Sequence, residues 1–444
     1  MMKLILMVSS MMMMTIYCDM VSMYVLLCLV GSFFMFYSLK FDFDNIIMVY
    51  SDYLCVDKSS YPLVMLTLWV LGLMFMSIFG VSSSGSSFKI LVFISMLLIL
   101  LVFFSSCNLL MMYLFFELSL IPTYLLIIYW GSNPERLGAS FYLLIYMLLI
   151  SLPLLFYIYY LMISFGSLSF ATYNSFGLTL KFGWWDYLIM VGAFLIKLPV
   201  YIFHVWLPKA HVEAPVYGSM ILAAVLLKLG GYGLYRVMMC LKFNLLNHLP
   251  VISLSLIGGV LVSFLSMIQV DMKSLVAYSS VVHMNLMLAG LMTMMGLGWS
   301  STMMIMVSHG VCSSGLFYMV NMYYERSFSR LLLLNKGSIT YLPVVSIWWF
   351  LLCSSNFSFP LSLNFIGEIT LLMTLLSWMQ SLMIILILVC FFSGAYSLYL
   401  FSYVHHGQSP YVMMSGSGSI KEILVVMYHY IPLVFILLNL FMFY

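Results

Sequence analysis

Long apolar runs recur throughout this chain, and they restrict its fold more than any other feature. Counting roughly 20 residues for each crossing of a bilayer, the chain offers about fourteen such runs, from residues 4–18 to residues 423–442. Only helices and closed barrels satisfy their backbone hydrogen bonds within lipid, and barrel strands would alternate in polarity. The runs are continuously apolar, so the sequence predicts an all-α polytopic membrane protein.

Composition excludes several other classes of protein. Of the 444 residues, 65% are hydrophobic and 7% are charged, whereas an average soluble domain is about 25% charged. The net charge of +3 is too small to suggest a nucleic-acid partner. The chain contains no glycine-rich nucleotide motif, and its cysteines are spaced singly, without the pairs expected of zinc or iron–sulfur sites. We interpret the cysteines as small apolar residues.

Two lysines lie inside apolar runs near the centre of the chain, in residues 193–236. A lysine in hydrocarbon costs roughly 3 kcal/mol on insertion scales, so it needs a partner or a wet cavity. Pro199 follows Lys197 by two residues and breaks the helix, and a break is tolerated in a membrane where it is buried or lines water. Lys197 and Lys228 therefore indicate an ion path. The alternative is that they snorkel to the interface, which applies more to Lys228.

A second broken span suggests an internal repeat. The run 343–378 is interrupted near Pro360, as the earlier run is near Pro199, and paired broken helices are typical of transporter repeats. Each repeat would hold five spans, and this odd number makes the second copy inverted. The predicted organisation is N-terminal helices over 1–82, a first repeat over 89–240, a second over 249–403 and a final helix over 420–444.

Loop charges predict the orientation. Summed alternately, they give a small positive excess to the side opposite both termini, so that side is predicted to be the inner one. The loop 40–58, which contains four aspartates, falls on the outer side.

Titratable residues within the spans form an ordered set. They are Glu117, Lys197, Lys228, His283, His309 and Glu368. Acids and bases alternate without the carboxylate cluster that calcium or magnesium needs, which favours proton relay. Glu117 could instead be a protonated group hydrogen-bonded to a neighbouring helix, and the histidines could be packing residues. Arg236 lies near a helix end and is predicted to snorkel.

Several stretches resemble the antiporter-like subunits of respiratory complex I. They are LIKLPVYIFHVWLPKAHVEAPVYGSMILAAVLLKLGGYG, YSSVVHMNL, SHGVCSSGLF, NMYYERSFSR and NFIGEI. The resemblance covers the chain from about residue 60 onward, and no functional residue is assigned before it. Glu368 stands where sister subunits carry lysine, which points to one member of the family.

The resemblance implies a proton-translocating subunit of the mitochondrial inner membrane. Glu117 and Lys197 would form a coupling pair, Lys228 the central relay, His283 and His309 its continuation, and Glu368 the terminal group. NADH, FMN, iron–sulfur clusters and ubiquinone would be bound by other subunits. The expected partners are other membrane-arm subunits, including sister antiporter-like subunits, and phospholipid.

Two other functions remain open from the sequence. One is a stand-alone cation/proton antiporter of the same fold, which would need no flavin-containing partner. The other is a structural subunit whose buried charges only lock helices together.

Overall fold

The computed structural model describes residues 1–15, 19–38, 48–49, 53–78, 86–176, 183–240, 243, 245–408 and 418–443. These residues are helical nearly throughout, as the continuous apolar runs predict. One small antiparallel sheet is present among them, in which β1 (Met48–Val49) pairs with β2 (Cys55–Val56).

The chain divides into two compact units. The first comprises Met1–Lys197 and Val225–Asn244, and the second Leu198–Ala224 and Leu245–Tyr444. The segment 198–224, which includes Pro199, thus belongs with the second unit. The predicted inverted repeats over 89–240 and 249–403 stay a prediction.

Among the described residues, the first unit contains both strands and ten α-helices. The helices are α1 (Met2–Met14), α2 (Met20–Ser38), α3 (Ser60–Ile78), α4 (Ser86–Ser105), α5 (Leu109–Leu118), α6 (Leu120–Trp130), α7 (Arg136–Phe165), α8 (Phe170–Phe176), α9 (Trp184–Lys197) and, after the segment of the second unit, α12 (Leu227–Cys240), with two-residue β1 and β2 between α2 and α3. Its core is aromatic around Phe103, whose ring packs against Phe104, Phe116 and Tyr232.

The second unit contains the remaining helices. They are α10 (Trp206–Glu213), α11 (Val216–Ile221), α13 (Leu249–Ile268), α14 (Met272–Met292), α15 (Gly296–Ser327), α16 (Ser338–Tyr341), α17 (Pro343–Asn356), α18 (Leu363–Trp378), α19 (Met383–His405) and α20 (Ile420–Phe435). A π-helical turn, Leu222–Leu226, joins α11 to α12. α14 and α15 form the centre of this unit, because 94% and 100% of their most apolar windows are buried.

Judged by length and composition, fewer helices qualify as membrane spans than the fourteen that the sequence predicts. Among the described residues, ten helices are long and apolar enough to cross a membrane, or eleven if one bent pair counts as a single span. Several expected spans correspond to shorter apolar helices, namely α1, α2 and α18. The count of fourteen therefore stays a prediction.

The interpretation of every cysteine as a small apolar residue is wrong for two of them. Cys55 and Cys107 form a disulfide in the first unit. Cys55 lies on β2 and Cys107 lies between α4 and α5, and these positions are too far apart in the sequence for spacing to reveal the pairing. Among the other described cysteines, Cys28, Cys240, Cys353 and Cys390 are free thiols.

Candidate functional site

Lys197 is the last residue of α9, and its ammonium is satisfied by the neighbouring helix rather than by solvent. The residue is 2% exposed. Nζ donates to the carbonyl oxygen of Phe116 at 2.7 Å and to Oγ of Ser119 at 3.0 Å. It also lies 3.4 Å from the centre of the Phe116 ring, within the range of a cation–π contact. The break after Lys197, which contains Pro199, places this charge at a helix end.

Glu117 lies one residue beyond Phe116, yet it does not form a direct ion pair with Lys197. Both its carboxyl oxygens are buried, and neither has a hydrogen-bond partner of ordinary geometry among the described residues. The ammonium of Lys197 interacts with this carboxyl group electrostatically, and the hydroxyl of Ser151 on α7 lies near it. The structure therefore shows the two charges as neighbours in an open arrangement, with the lysine bonded to the turn between α5 and α6.

Lys228 is fully buried near the start of α12, which excludes snorkelling for this residue. The π-helical turn Leu222–Leu226 immediately precedes this helix. Such turns widen a helix locally and often occur at functional sites. Lys228 thus shares the two features of Lys197, burial in an apolar run and a neighbouring irregularity of the backbone.

The prediction that Arg236 snorkels is wrong. Arg236 is buried, its Nη1 forms an ion pair with Oδ2 of Asp57, and its Nε donates to the hydroxyl of Tyr232 at 2.7 Å. Asp57 precedes α3, so the partner comes from a distant part of the sequence to which no functional residue was assigned.

In the second unit, the structure brings three of the six predicted residues together. Nδ1 of His283 on α14 lies 3.2 Å from Oε1 of Glu368 on α18. The His283 and His309 rings have centroids 5.5 Å apart. The other nitrogen of His283, Nε2, forms a hydrogen bond of 3.1 Å with the hydroxyl of Tyr396 on α19. Sequence reasoning missed Tyr396, which lies in an apolar run with no local signal.

A break in the helix places Glu368. α17 ends at Asn356 and α18 begins at Leu363, with Pro360 in the irregular segment between them. Asn364 bridges the break by donating to the carbonyl oxygen of Ser355 at 2.7 Å. This amide satisfies a carbonyl group that a continuous helix would have bonded.

Basic side chains also hold the segment between α10 and α11. Nζ of Lys273 donates to the carbonyl oxygen of Ala214 at 3.0 Å, and Nη1 of Arg330 donates to that of Val212 at 2.9 Å. In the sequence, both residues lie in polar segments between apolar runs. Lys273 is buried, and its hydrogen bond helps to hold the segment between α10 and α11 in place.

Metal-ligand geometry is absent from the described part of the chain. No group of three histidine, cysteine or acidic residues there could hold a metal ion. The chemistry that the buried groups can perform is proton transfer, because carboxyl, imidazole and ammonium groups each gain and lose protons.

Two family models match the sequence and together cover most of it. One, described as the transmembrane part of NADH:quinone oxidoreductases and Mrp antiporters, matches residues 106–393. The other, described as the amino terminus of NADH-ubiquinone oxidoreductase chain 4, matches residues 1–107. The similarity therefore includes the first 58 residues, to which the sequence motifs do not extend.

Individual relatives are similar over most of their length. NADH-ubiquinone oxidoreductase chain 4 of Ceratitis capitata is 47% identical over 388 residues, which are 86% of each chain. The protein of the same name from Locusta migratoria is 43% identical over 422 residues, 92% of this chain and 94% of its own. A chain of the respiratory complex I structure from Thermus thermophilus with bound NADH shares the fold. Its TM-score is 0.86 at 18% identity, over 97% of this chain and 94% of that one.

Proposed function

Because the chain belongs to the NADH-ubiquinone oxidoreductase chain 4 family, we propose that it translocates protons as a membrane subunit of that enzyme, respiratory complex I. It is a multi-pass protein of the mitochondrial inner membrane, as its animal relatives and its apolar helices indicate. Glu368, where sister subunits carry lysine, agrees with chain 4 among the members of the family.

Electron transfer takes place on other subunits. NADH, FMN, the iron–sulfur clusters and ubiquinone bind there, and this chain receives energy through the membrane arm. Its partners are the other membrane-arm subunits, among them the sister antiporter-like subunits, together with phospholipid. The wide apolar surface supports these partners. A stand-alone antiporter is disfavoured, because the similar curated proteins are named as chain 4 of the oxidoreductase.

The observation that carries the mechanism is the open arrangement of Lys197 and Glu117. The ammonium is bonded to Phe116 and Ser119, next to the carboxyl group that it can neutralise. In a medium of low dielectric constant, a direct ion pair between the two would be much stronger than in water. Redox chemistry elsewhere shifts the pair between this open arrangement and a direct one, and the change moves a proton onto or off the lysine.

The second unit relays protons through His283. A neutral imidazole accepts a proton on one nitrogen and releases one from the other. Its Nδ1 faces Glu368 and its Nε2 faces Tyr396, so both nitrogens have a polar partner. His309 extends the relay from α15, and Glu368 is its terminal group. Lys228, in the first unit, is the central lysine of the proposed relay.

The experiment that tests this function replaces Lys197 by methionine, which keeps a long apolar side chain and removes the ammonium. Protons pumped per NADH oxidised should fall in membranes that carry the variant, while a native gel shows an assembled complex. Lys209→Met is the matched control, because Lys209 is an exposed lysine on α10 and should leave pumping unchanged.

Two results would contradict the proposal. Normal pumping with normal assembly would make Lys197 a packing residue. Loss of the assembled complex in Lys197→Met, but not in the control, would favour the structural alternative, in which the buried charges only hold helices together.

A further inference from the structure

A cavity of about 420 Å³ lies in the first unit, and none of the six relay residues lines it. Its wall includes Tyr53, Asn108, Ser169, Asp57 and Arg236. A cavity of this size holds several waters, and waters need polar partners of the kind this wall provides. Water can therefore bind along the polar side of this cavity, whereas Leu168, Phe170 and Ala171 make the rest of the wall apolar.

Three segments of the first unit hold Asp57 in the wall of this cavity. The amide of Cys107 donates to the carbonyl oxygen of Tyr53 at 2.9 Å, and the amide of Phe170 donates to that of Cys107 at 3.0 Å. The disulfide between Cys55 and Cys107 adds a covalent link two residues before Asp57. The backbone just before Asp57 is therefore held against the segments that contain Cys107 and Phe170.

The ion pair between Asp57 and Arg236 leaves one atom of each side chain unsatisfied. The two side chains are 9% and 11% exposed. Oδ1 of Asp57 and Nη2 of Arg236 have no hydrogen-bond partner among the described residues. A buried ion pair is stable only if its remaining polar atoms are also satisfied. Both orphan atoms belong to residues that line the cavity, so water there is the natural partner.

A row of polar side chains on α12 includes both a relay lysine and the arginine of this ion pair. Lys228, Tyr232 and Arg236 are spaced four residues apart and so lie on one face of the helix. Arg236 donates to the hydroxyl of Tyr232, which in turn donates to the carbonyl oxygen of Phe104 at 3.0 Å. The same helix face therefore leads from the buried lysine to the cavity.

We infer that Asp57 is the carboxylate through which the first unit releases protons into this cavity. The inference rests on the proton translocation proposed above. A proton arriving from the side of Lys228 converts the carboxylate to the neutral acid and weakens its pairing with Arg236. Water in the cavity then takes the proton, and the ion pair forms again. The guanidinium keeps its proton throughout.

The predicted orientation gives the direction of this step. Loop charges place residues 40–58, and so Asp57, on the side predicted to be outer. Protons leave a respiratory pump on that side. Arg236, fixed beside the route, repels protons that would return from the cavity while the ion pair is closed.

The experiment compares four variants in assembled complexes, with protons pumped per NADH oxidised as the readout. Asp57→Asn removes the carboxylate but leaves Arg236 unpaired, and the double variant Asp57→Asn with Arg236→Gln removes both charges. Asp57→Glu keeps a titratable group. Asp186→Asn is the control, because Asp186 is another carboxylate of the first unit, at the start of α9, and does not line the cavity.

If the inference is right, the double variant loses at least as much pumping as Lys197→Met, Asp57→Glu keeps most of it and the control is unchanged. Normal pumping by the double variant would overturn the inference, because the ion pair would then be structural. Failure of the double variant to assemble would overturn it as well. A loss in Lys197→Met without a loss in the double variant would reject only this inference. No loss in either would reject the proposed function too.

Discussion

His283 shows how a single buried side chain acquires a function from its neighbours. Its two ring nitrogens face different helices, Nδ1 toward Glu368 and Nε2 toward Tyr396. An imidazole with a partner on each nitrogen can pass a proton through the ring, whereas one with a single partner can only store it. The hydroxyl of Tyr396 is therefore as important for a relay as the carboxyl group of Glu368.

Replacing Tyr396 by phenylalanine tests this role. The change removes one hydrogen bond, worth about 1 kcal/mol, and keeps the buried ring. We expect the complex to assemble and the protons pumped per NADH oxidised to fall. Tyr323→Phe is the matched control, because this buried tyrosine bonds to Ser338 at 3.3 Å, outside the relay. Equal pumping by both variants would show that Nε2 of His283 is not on the path.

At this scale, the sequence predicts which residues matter better than it predicts their contacts. A charge in an apolar run is visible because its burial is costly, and Lys197 and Glu368 are found in this way. Their partners depend on which helices pack together. Tyr396 and Asp57 escape notice because an aromatic residue in a span and an aspartate in a loop are both ordinary.

Among the elements, the interrupted helices carry the most information. The turn that follows Pro199 packs closely against α13, where a side chain on Gly258 would overlap the side chain of Tyr201. The neighbouring Ile202 has a φ of 85°, in the left-handed region that a branched residue rarely adopts. Close packing against a glycine thus holds a strained turn in place.

Gly258→Ala should therefore destabilise the protein by about 1–3 kcal/mol, the usual range for overpacking. Gly259→Ala is the matched control on the same helix. Its added methyl group would lie 3.8 Å from Val389 and 3.9 Å from Asn285, which are ordinary contacts. We expect a lower midpoint for the heat-induced loss of the intact complex on native gels in the first variant alone. Equal midpoints would show that the turn can move away.

Proline and hydropathy predict where helices lie and break, but not how many cross the membrane. Both helices break near the prolines that the sequence indicates, Pro199 and Pro360. Proline interrupts a helix because it lacks a backbone N–H donor. The span count does not follow in the same way, because α1 has 13 residues and α18 has 16, fewer than the roughly 20 that cross a bilayer. Hydropathy alone does not predict whether such short helices cross the membrane.

For the whole molecule, burial distinguishes helices at the centre from those that meet the surroundings. α7 is among the longest helices, yet only 33% of its most apolar window is buried, against 100% for α15. Leu149, Phe156 and Ile163 are exposed and seven residues apart, so they form one stripe along α7. In water such a stripe would be strongly unfavourable. We therefore place it within the membrane, against phospholipid or a partner subunit.

This placement predicts which positions water can reach. Phe156 and Trp185 are each 75% exposed, but Phe156 lies well inside α7, whereas Trp185 lies at the start of α9. Tryptophan at a helix end is typical of the membrane–water interface. Cysteines introduced at these two positions should differ in the assembled complex. Trp185→Cys should react with a water-soluble thiol reagent, and Phe156→Cys should not, relative to the parent protein. Because their exposed fractions are equal, the difference would come from the surrounding medium. A reactive cysteine at position 156 would mean that this face of α7 borders water, and the membrane would have to be placed elsewhere along the chain.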